Sequence, residues 1–172
     1  MRKSYKINFM SLTQIALLPT TSKDLDTILD MERSPENAPY IFQWERDRHA
    51  AAIEDANIAH LKIVLEDEII GYVILIGLNN SDRSIEFRRI VVAKKGYGYG
   101  RQAIRLVKEM VFNQFKAHRL WLDVMAHNQK AYALYLSEGF TEEGVLRESY
   151  KQGDRFIELK IMSILEQEYR LI

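Results

Sequence analysis

The chemistry of this chain is concentrated in two short stretches, the first being VVAKKGYGYGRQAI, Val91 to Ile104. Glycines at 96, 98 and 100 fall where an apolar strand pattern gives way to a helical one. Closely spaced glycines there let the backbone turn tightly and approach a ligand without Cβ interference. The first amides of the following helix lack intrahelical acceptors, and its positive end favours an anion. The loop from Lys95 to Arg101, through Gly96, Tyr97, Gly98, Tyr99 and Gly100, is therefore suited to a phosphate or pyrophosphate, with Lys94, Lys95 and Arg101 as added charge.

The same glycines can also simply end a strand and start a turn. A dinucleotide-binding fingerprint needs G-x-G-x-x-G, whereas this chain has GYGYG after a hairpin; no G-K-[ST] follows, so a nucleotide-hydrolysing loop is excluded. The second stretch, VMAHNQKAYALYLSEGF, Val124 to Phe140, adds weight. Asn128, Ala131 and Tyr135 stand three and seven residues apart, which brings them to one side of a helix, and Gly139 supplies its C-terminal stop.

The elements that must hold these residues can be read from hydrophobic period and punctuation. A strand is predicted from Gln14 to Leu18. Thr21 with Asp24 forms a capping box before an amphipathic helix carrying Leu25, Ile28 and Leu29 on one face. SPENAPY breaks that helix, and a second one is expected from Trp44 to Asp55. Two β-rich runs turn at Asp67 as a hairpin, and Ile85 to Ala93 forms another strand. A helix from Gly98 to Lys116 follows, then a strand over 118–125, a short helix, and strands over 141–149 and 155–165. The order β, α, α, β, β, β, α, β, α, β, β describes one mixed α/β domain.

Composition narrows the function classes. The 172 residues suffice for one well-buried core, and 24 basic residues balance 24 acidic ones. Neutrality without a basic stripe argues against a nucleic-acid partner, despite tyrosines 97, 99, 132, 135 and 150. With no cysteine, thiolate nucleophiles and cysteine zinc sites are excluded. His49, His60, His118 and His127 form no metal-binding spacing. The N-terminus has neither a signal-peptide core nor the length of a membrane span, and the absence of cysteine leads to the expectation of a cytoplasmic protein.

Taken together and in this order, the two stretches resemble the Gcn5-related N-acetyltransferase (GNAT) superfamily, over roughly Gln14 to Glu166. The family pattern is Arg or Gln, two residues, Gly, one residue, then Gly or Ala; Lys95 stands in the first place, with Gly98 and Gly100 as the small pair. The overall pattern looks closer to the branch that includes ribosomal-protein N-terminal and spermidine acetyltransferases than to histone-modifying members. The resemblance implies a mixed, largely antiparallel sheet flanked by helices, with strands 85–93 and 118–125 splayed apart. It implies acetyl-CoA with its pyrophosphate on the 95–101 loop, its pantetheine along strand 85–93, and Asn128 and Ala131 beside its arm. No metal is called for, and a homodimer through the hairpin Thr141 to Leu165 is an expectation of the family.

Acetyl transfer to an amine needs a neutral nucleophile, a polarised thioester carbonyl and a proton for the departing thiolate. Amides near Ile90, Val91 and Val92 are candidates for the carbonyl, provided a bulge or splay frees one. Tyr135 resembles the family's proton donor, with packing against Phe140 as the alternative role. Glu86 is the candidate base or amine-attracting carboxylate, unless it merely pairs with Arg88 or Arg89. Glu32 and Glu36, in the segment that shapes the acceptor side in such folds, are candidates for holding a cationic amine. The acceptor is then a small-molecule amine or a peptide N-terminus, acetylated directly because no residue is placed to carry an acetyl group. An acyl-CoA-binding protein without activity, or a relative using another acyl group or acceptor, is the competing expectation.

Overall fold

The computed structural model describes residues 15–171. The strands are β1 (Ile15–Pro19), β2 (Ile58–Leu65), β3 (Glu68–Ile76), β4 (Ser84–Val92), β5 (Arg119–Met125), β6 (Thr141–Gln152) and β7 (Arg155–Leu165). The helices are α1 (Leu25–Arg33), α2 (Arg46–Glu54), α3 (Tyr99–Glu109), α4 (Gln129–Ser137) and the single turn α5 (Glu166–Tyr169). One seven-stranded sheet runs in the order β1-β2-β3-β4-β5-β7-β6, antiparallel at every pairing except β4 with β5. The mixed, largely antiparallel architecture expected from the sequence is the one observed.

Boundaries moved where local chemistry outweighed periodicity. Gln14, expected to open the first strand, lies outside the described residues. At Thr21 the chain enters a short 3-10 turn, Ser22–Asp24, ahead of α1. Asp24 accepts hydrogen bonds from the Thr21 amide at 2.7 Å and hydroxyl at 2.9 Å, and Lys62 reaches the same carboxylate at 2.9 Å. The third helix ends at Glu109 in a π turn, Met110–Gln114, and Lys116 takes a positive φ of 53°. Strand β6 continues past Ser149 to Gln152.

The helices cover both faces of the sheet. On one face α3 packs Ala103, Ile104 and Val107 against Ile63, Val73, Ile85, Phe87 and Leu122, with Tyr135 of α4 in the same cluster. On the other, Leu25 and Ile28 of α1 and Ala52 of α2 pack against Tyr72, Ile74 and Val91. These side chains are withdrawn from water, the main favourable term for such a domain.

Strand β4 changes faces midway. Strict alternation would put residues 85, 87, 89 and 91 on the same side. Ile85 and Phe87 do face α3, but Val91 packs on the α1 side and Arg89 bonds to Glu32 of α1. The pairing with β3 explains the switch, because Leu75 opposes Phe87 while Ile74 opposes Arg89, leaving Arg88 as an extra residue. Such a bulge reverses side-chain parity and increases local twist.

The second layer encloses a buried polar chain. Thr20 Oγ1 meets His60 Nδ1 at 3.0 Å, His60 Nε2 meets His49 Nδ1 at 2.9 Å, and His49 Nε2 faces Glu32 Oε1 at 3.2 Å. Burial, then the neighbouring His49, lowers the His60 pKa from its usual 6.5 to about 4. Burial alone would raise Glu32, but the His49, Arg89, Tyr72 and Trp44 groups around it outweigh that and bring it to about 2. Both folded-state values lie below their unfolded ones, so the unfolded chain binds more protons and stability is lost as pH falls. Urea titrations should show stability draining as pH drops from 6.5 through 4 for His60, and from 4.5 towards 2 for Glu32. His60→Asn should flatten the upper part of that decline; an unchanged slope would mean the imidazole is not its source.

Candidate active site

The parallel pairing of β4 with β5 lasts three residue pairs, Ser84 with Arg119, Ile85 with Leu120 and Glu86 with Trp121. Beyond Glu86 the strands part, as expected, and the backbone groups of the β4 C-terminal half facing β5 lose their partner strand. The sheet therefore contains a slot bounded by residues 87–92 on one side and 122–125 on the other.

The glycine loop stands at the end of β4. Gly96 and Gly98 have φ of +88° and +80°, and a Cβ on either would meet nothing within 4 Å. Left-handed backbone, not crowding, requires glycine at both. The first helical bond of α3 runs from the Gln102 amide to the Gly98 carbonyl at 3.1 Å. Among the described residues, no amide from Lys95 to Arg101 has a protein acceptor. A run of unpaired donors at a helix N-terminus, open to solvent, fits an anionic phosphate group. Tyr97, 71% exposed, stacks on Tyr99 with ring centroids 5.8 Å apart.

Two loop side chains are otherwise engaged. The Arg101 guanidinium, expected to add charge at the loop, turns to Glu138 at 2.5 Å. Arg105 and Lys108 bind the same buried carboxylate, tying α3 to the end of α4. Arg101 thus offers the loop its amide, with its charge drawn away. Lys95 donates to the Glu36 carbonyl at 2.8 Å and lies 3.8 Å from the Glu36 carboxylate.

On α4, Asn128 is the N-cap, its Oδ1 accepting the Ala131 amide at 3.2 Å, and Ala131 packs against the main core. Tyr135 is 8% exposed, with edge-on contacts to Phe87 at 6.4 Å and Phe140 at 5.6 Å. It packs against Phe140 and also lies beside the slot. Its hydroxyl has no hydrogen-bond partner among the described residues. Burial, then the charge of Asp123, pushes its pKa well above the usual phenol value. The phenol keeps its proton until a strong base develops beside it.

Glu86 lies on the face opposite Phe87 and is buried in a central strand. Arg88 Nη2 contacts its two oxygens at 2.8 and 2.9 Å. Burial raises its pKa, with Asp123 adding to the effect and Arg88 opposing it. Asp123, two residues past the last β4–β5 pair, shares that face of the sheet. Burial raises its pKa as well, against Arg88 and Arg89. Sequence reading passed over Asp123, although an acid inside the central apolar run RLWLDVM is itself a signal, because burying it there is costly.

Glu32, a candidate for holding a cationic amine, is enclosed by protein instead. It is 1% exposed, and its carboxylate accepts from Arg89, the Tyr72 hydroxyl and the Trp44 amide. A carboxylate so occupied has no oxygen left for a substrate amine. Glu36 is exposed but shares its charge with Lys95. Among the described residues, no three His, Cys, Asp or Glu come together as a metal site, and no helix is long and apolar enough to cross a membrane.

A sheet splayed between its two parallel strands, with an open glycine turn leading into the next helix, defines an acyl-CoA-dependent acyltransferase fold. Residues 24–140 match the Acetyltransferase (GNAT) family, and the chain belongs to it. The spermidine N(1)-acetyltransferase of Vibrio cholerae is 36% identical over 115 residues, 64% of this chain and 66% of that protein. The Escherichia coli K12 spermidine N(1)-acetyltransferase is 24% identical over 170 residues, 92% of this chain and 90% of its own. The V. cholerae spermidine N-acetyltransferase solved with CoA and spermine superposes with a TM-score of 0.82 at 28% identity, covering 91% of this chain and 98% of that one.

Replacing Gly98 by Ala adds a Cβ in left-handed backbone, costing about 1–2 kcal/mol. Relief of that strain would move the loop amides, so calorimetry should find acetyl-CoA binding weakened about tenfold with the fold intact. Unaltered affinity would show that the loop amides do not hold the ligand.

Proposed function

We propose that the protein transfers the acetyl group of acetyl-CoA directly to a primary amine. The observation that carries this reading is the run of unpaired amides from Lys95 to Arg101 at the mouth of the β4–β5 slot. Those amides and the α3 N-terminus hold the pyrophosphate, and β4 beyond Glu86 presents backbone groups to the pantetheine arm. Lys95, Gly96, Tyr97, Gly98, Tyr99, Gly100 and Arg101 form the cradle, with Asn128 and Ala131 across from it.

The slot joins the two faces of the sheet, which separates the roles. Tyr135, on the α3 face, supplies a proton to the departing thiolate. Glu86 and Asp123, on the α1 face, attract the amine and take up its proton, directly or through water. Amides of Ile90, Val91 or Val92 next to the Arg88 bulge polarise the thioester carbonyl. Spermidine, the acceptor named for the relatives, is the first amine to test; other small amines and peptide N-termini follow. Two copies joined through the β6–β7 hairpin, and a cytoplasmic setting, complete the proposal.

Thiol release from acetyl-CoA across an amine panel, with mass analysis of the product, tests the activity. Tyr135→Phe keeps the ring contacts and removes the proton. Turnover should fall about 10²-fold or more while acetyl-CoA affinity holds; full turnover would sink the acid assignment.

Glu86→Gln tests the other half of the proton balance. With the Glu86 pKa raised, kcat/KM should climb with pH through a range above that of an ordinary carboxylate, because the base works deprotonated. The variant should lose that climb with little change in cofactor affinity. An identical pH profile would remove Glu86 from the chemistry.

A further inference from the structure

The segment between α1 and α2 is fastened at four places around the slot. Its Glu36 carbonyl accepts from Lys95 of the glycine loop at 2.8 Å. Tyr40 packs on His127, just before α4, at 5.8 Å, and Phe42 packs on Tyr150 of β6 at 3.7 Å between ring centroids. The fourth fastening is buried and charged. Arg89, the first residue past the β4 bulge, donates through one nitrogen to the Phe42 carbonyl and through another to Glu32. Glu32 returns to the same segment by accepting the Trp44 amide at 3.0 Å. Trp44 is also covered by the guanidinium groups of Arg89, at 4.9 Å, and Arg48, at 4.0 Å from its centroid.

The segment thus borders the slot on the face that carries Glu86 and Asp123. Arg89, which holds the segment, is also near enough to Asp123 for its charge to act on that carboxylate. We infer that Glu32 is a positioning residue for the acceptor: through Arg89 and the Trp44 amide it fixes residues 41–44 against β4 and so sets the shape of the acceptor entrance. The inference rests on the acetyl-transfer reading. Glu32 touches neither substrate nor cosubstrate, so its loss acts on acceptor fit and leaves the glycine loop alone.

The experiment compares wild type with Glu32→Gln and with Phe42→Ala, which unseats the segment from Tyr150 without disturbing a buried charge. For the amine that wild type acetylates, KM should rise about tenfold in both variants, while KM for acetyl-CoA and its calorimetric affinity stay within about twofold. A merely structural role for Glu32 would move both constants together or neither, and either result overturns the inference. If Glu32→Gln fails to fold, Glu32→Asp, which keeps the buried charge but withdraws it from Arg89 and the Trp44 amide, decides through the same split.

Limited chymotrypsin digestion at Tyr40 and Phe42 provides a readout independent of turnover. Folded Glu32→Gln should be cut there faster than wild type, with other sites unchanged; equal rates overturn the inference. Wild type that releases no thiol with any amine defeats the acetyl-transfer reading, and the digestion still decides whether Glu32 anchors the segment.

Discussion

One ion pair, Glu32 with Arg89, joins the two halves of this molecule that must cooperate, the helical segment over the sheet and the strand at its centre. The two groups are 1% and 6% exposed at their side chains, so neither can be lost without leaving the other charged and dry. Neighbours make that burial tolerable: Tyr72 and the Trp44 amide donate to the carboxylate, and the Phe42 carbonyl accepts from the guanidinium. The pair exists because β4 carries one extra residue. Without the bulge at Arg88, strict alternation from Phe87 would turn Arg89 into the apolar layer under α3.

The glycine turn works on the opposite principle. The Glu32 carboxylate and the Arg89 guanidinium find partners within the protein, whereas from Lys95 to Arg101 the amides find none among the described residues. The nearby Arg101 and Arg105 guanidiniums and the Lys108 ammonium converge on Glu138, bracing α3 against α4. What this turn offers an anion is therefore the backbone dipoles at a fixed helix end, since Lys94 pairs with Glu68 and Lys95 with Glu36.

Much of this architecture was legible in residue order. Glycines 96, 98 and 100 announced a tight turn, the helical period after Gly98 announced α3, and the spacing of Asn128, Ala131 and Tyr135 announced α4. The family resemblance added the splay of β4 from β5. The bulge was not legible, since IEFRRIVV fits an unbroken strand as readily as one with an inserted residue. Nor was the fate of Glu32, although it continues the spacing of Leu25, Ile28 and Leu29 and so falls on their buried side. Partners 17 to 57 residues away, Arg89, His49 and Tyr72, decide whether an acid there is an error or a keystone. Asp123 escaped notice for a related reason: only the divergence of the strands leaves room for a carboxylate in an apolar run.

The short parallel pairing of β4 with β5 has a consequence for how such a protein can change. Because the slot is made by two backbones diverging, its existence does not depend on the side chains that line it. Residues at its rim can be exchanged for others of different size or charge while the sheet stays whole. Acceptor preference can then drift between related chains faster than the fold or the grip on the acetyl donor.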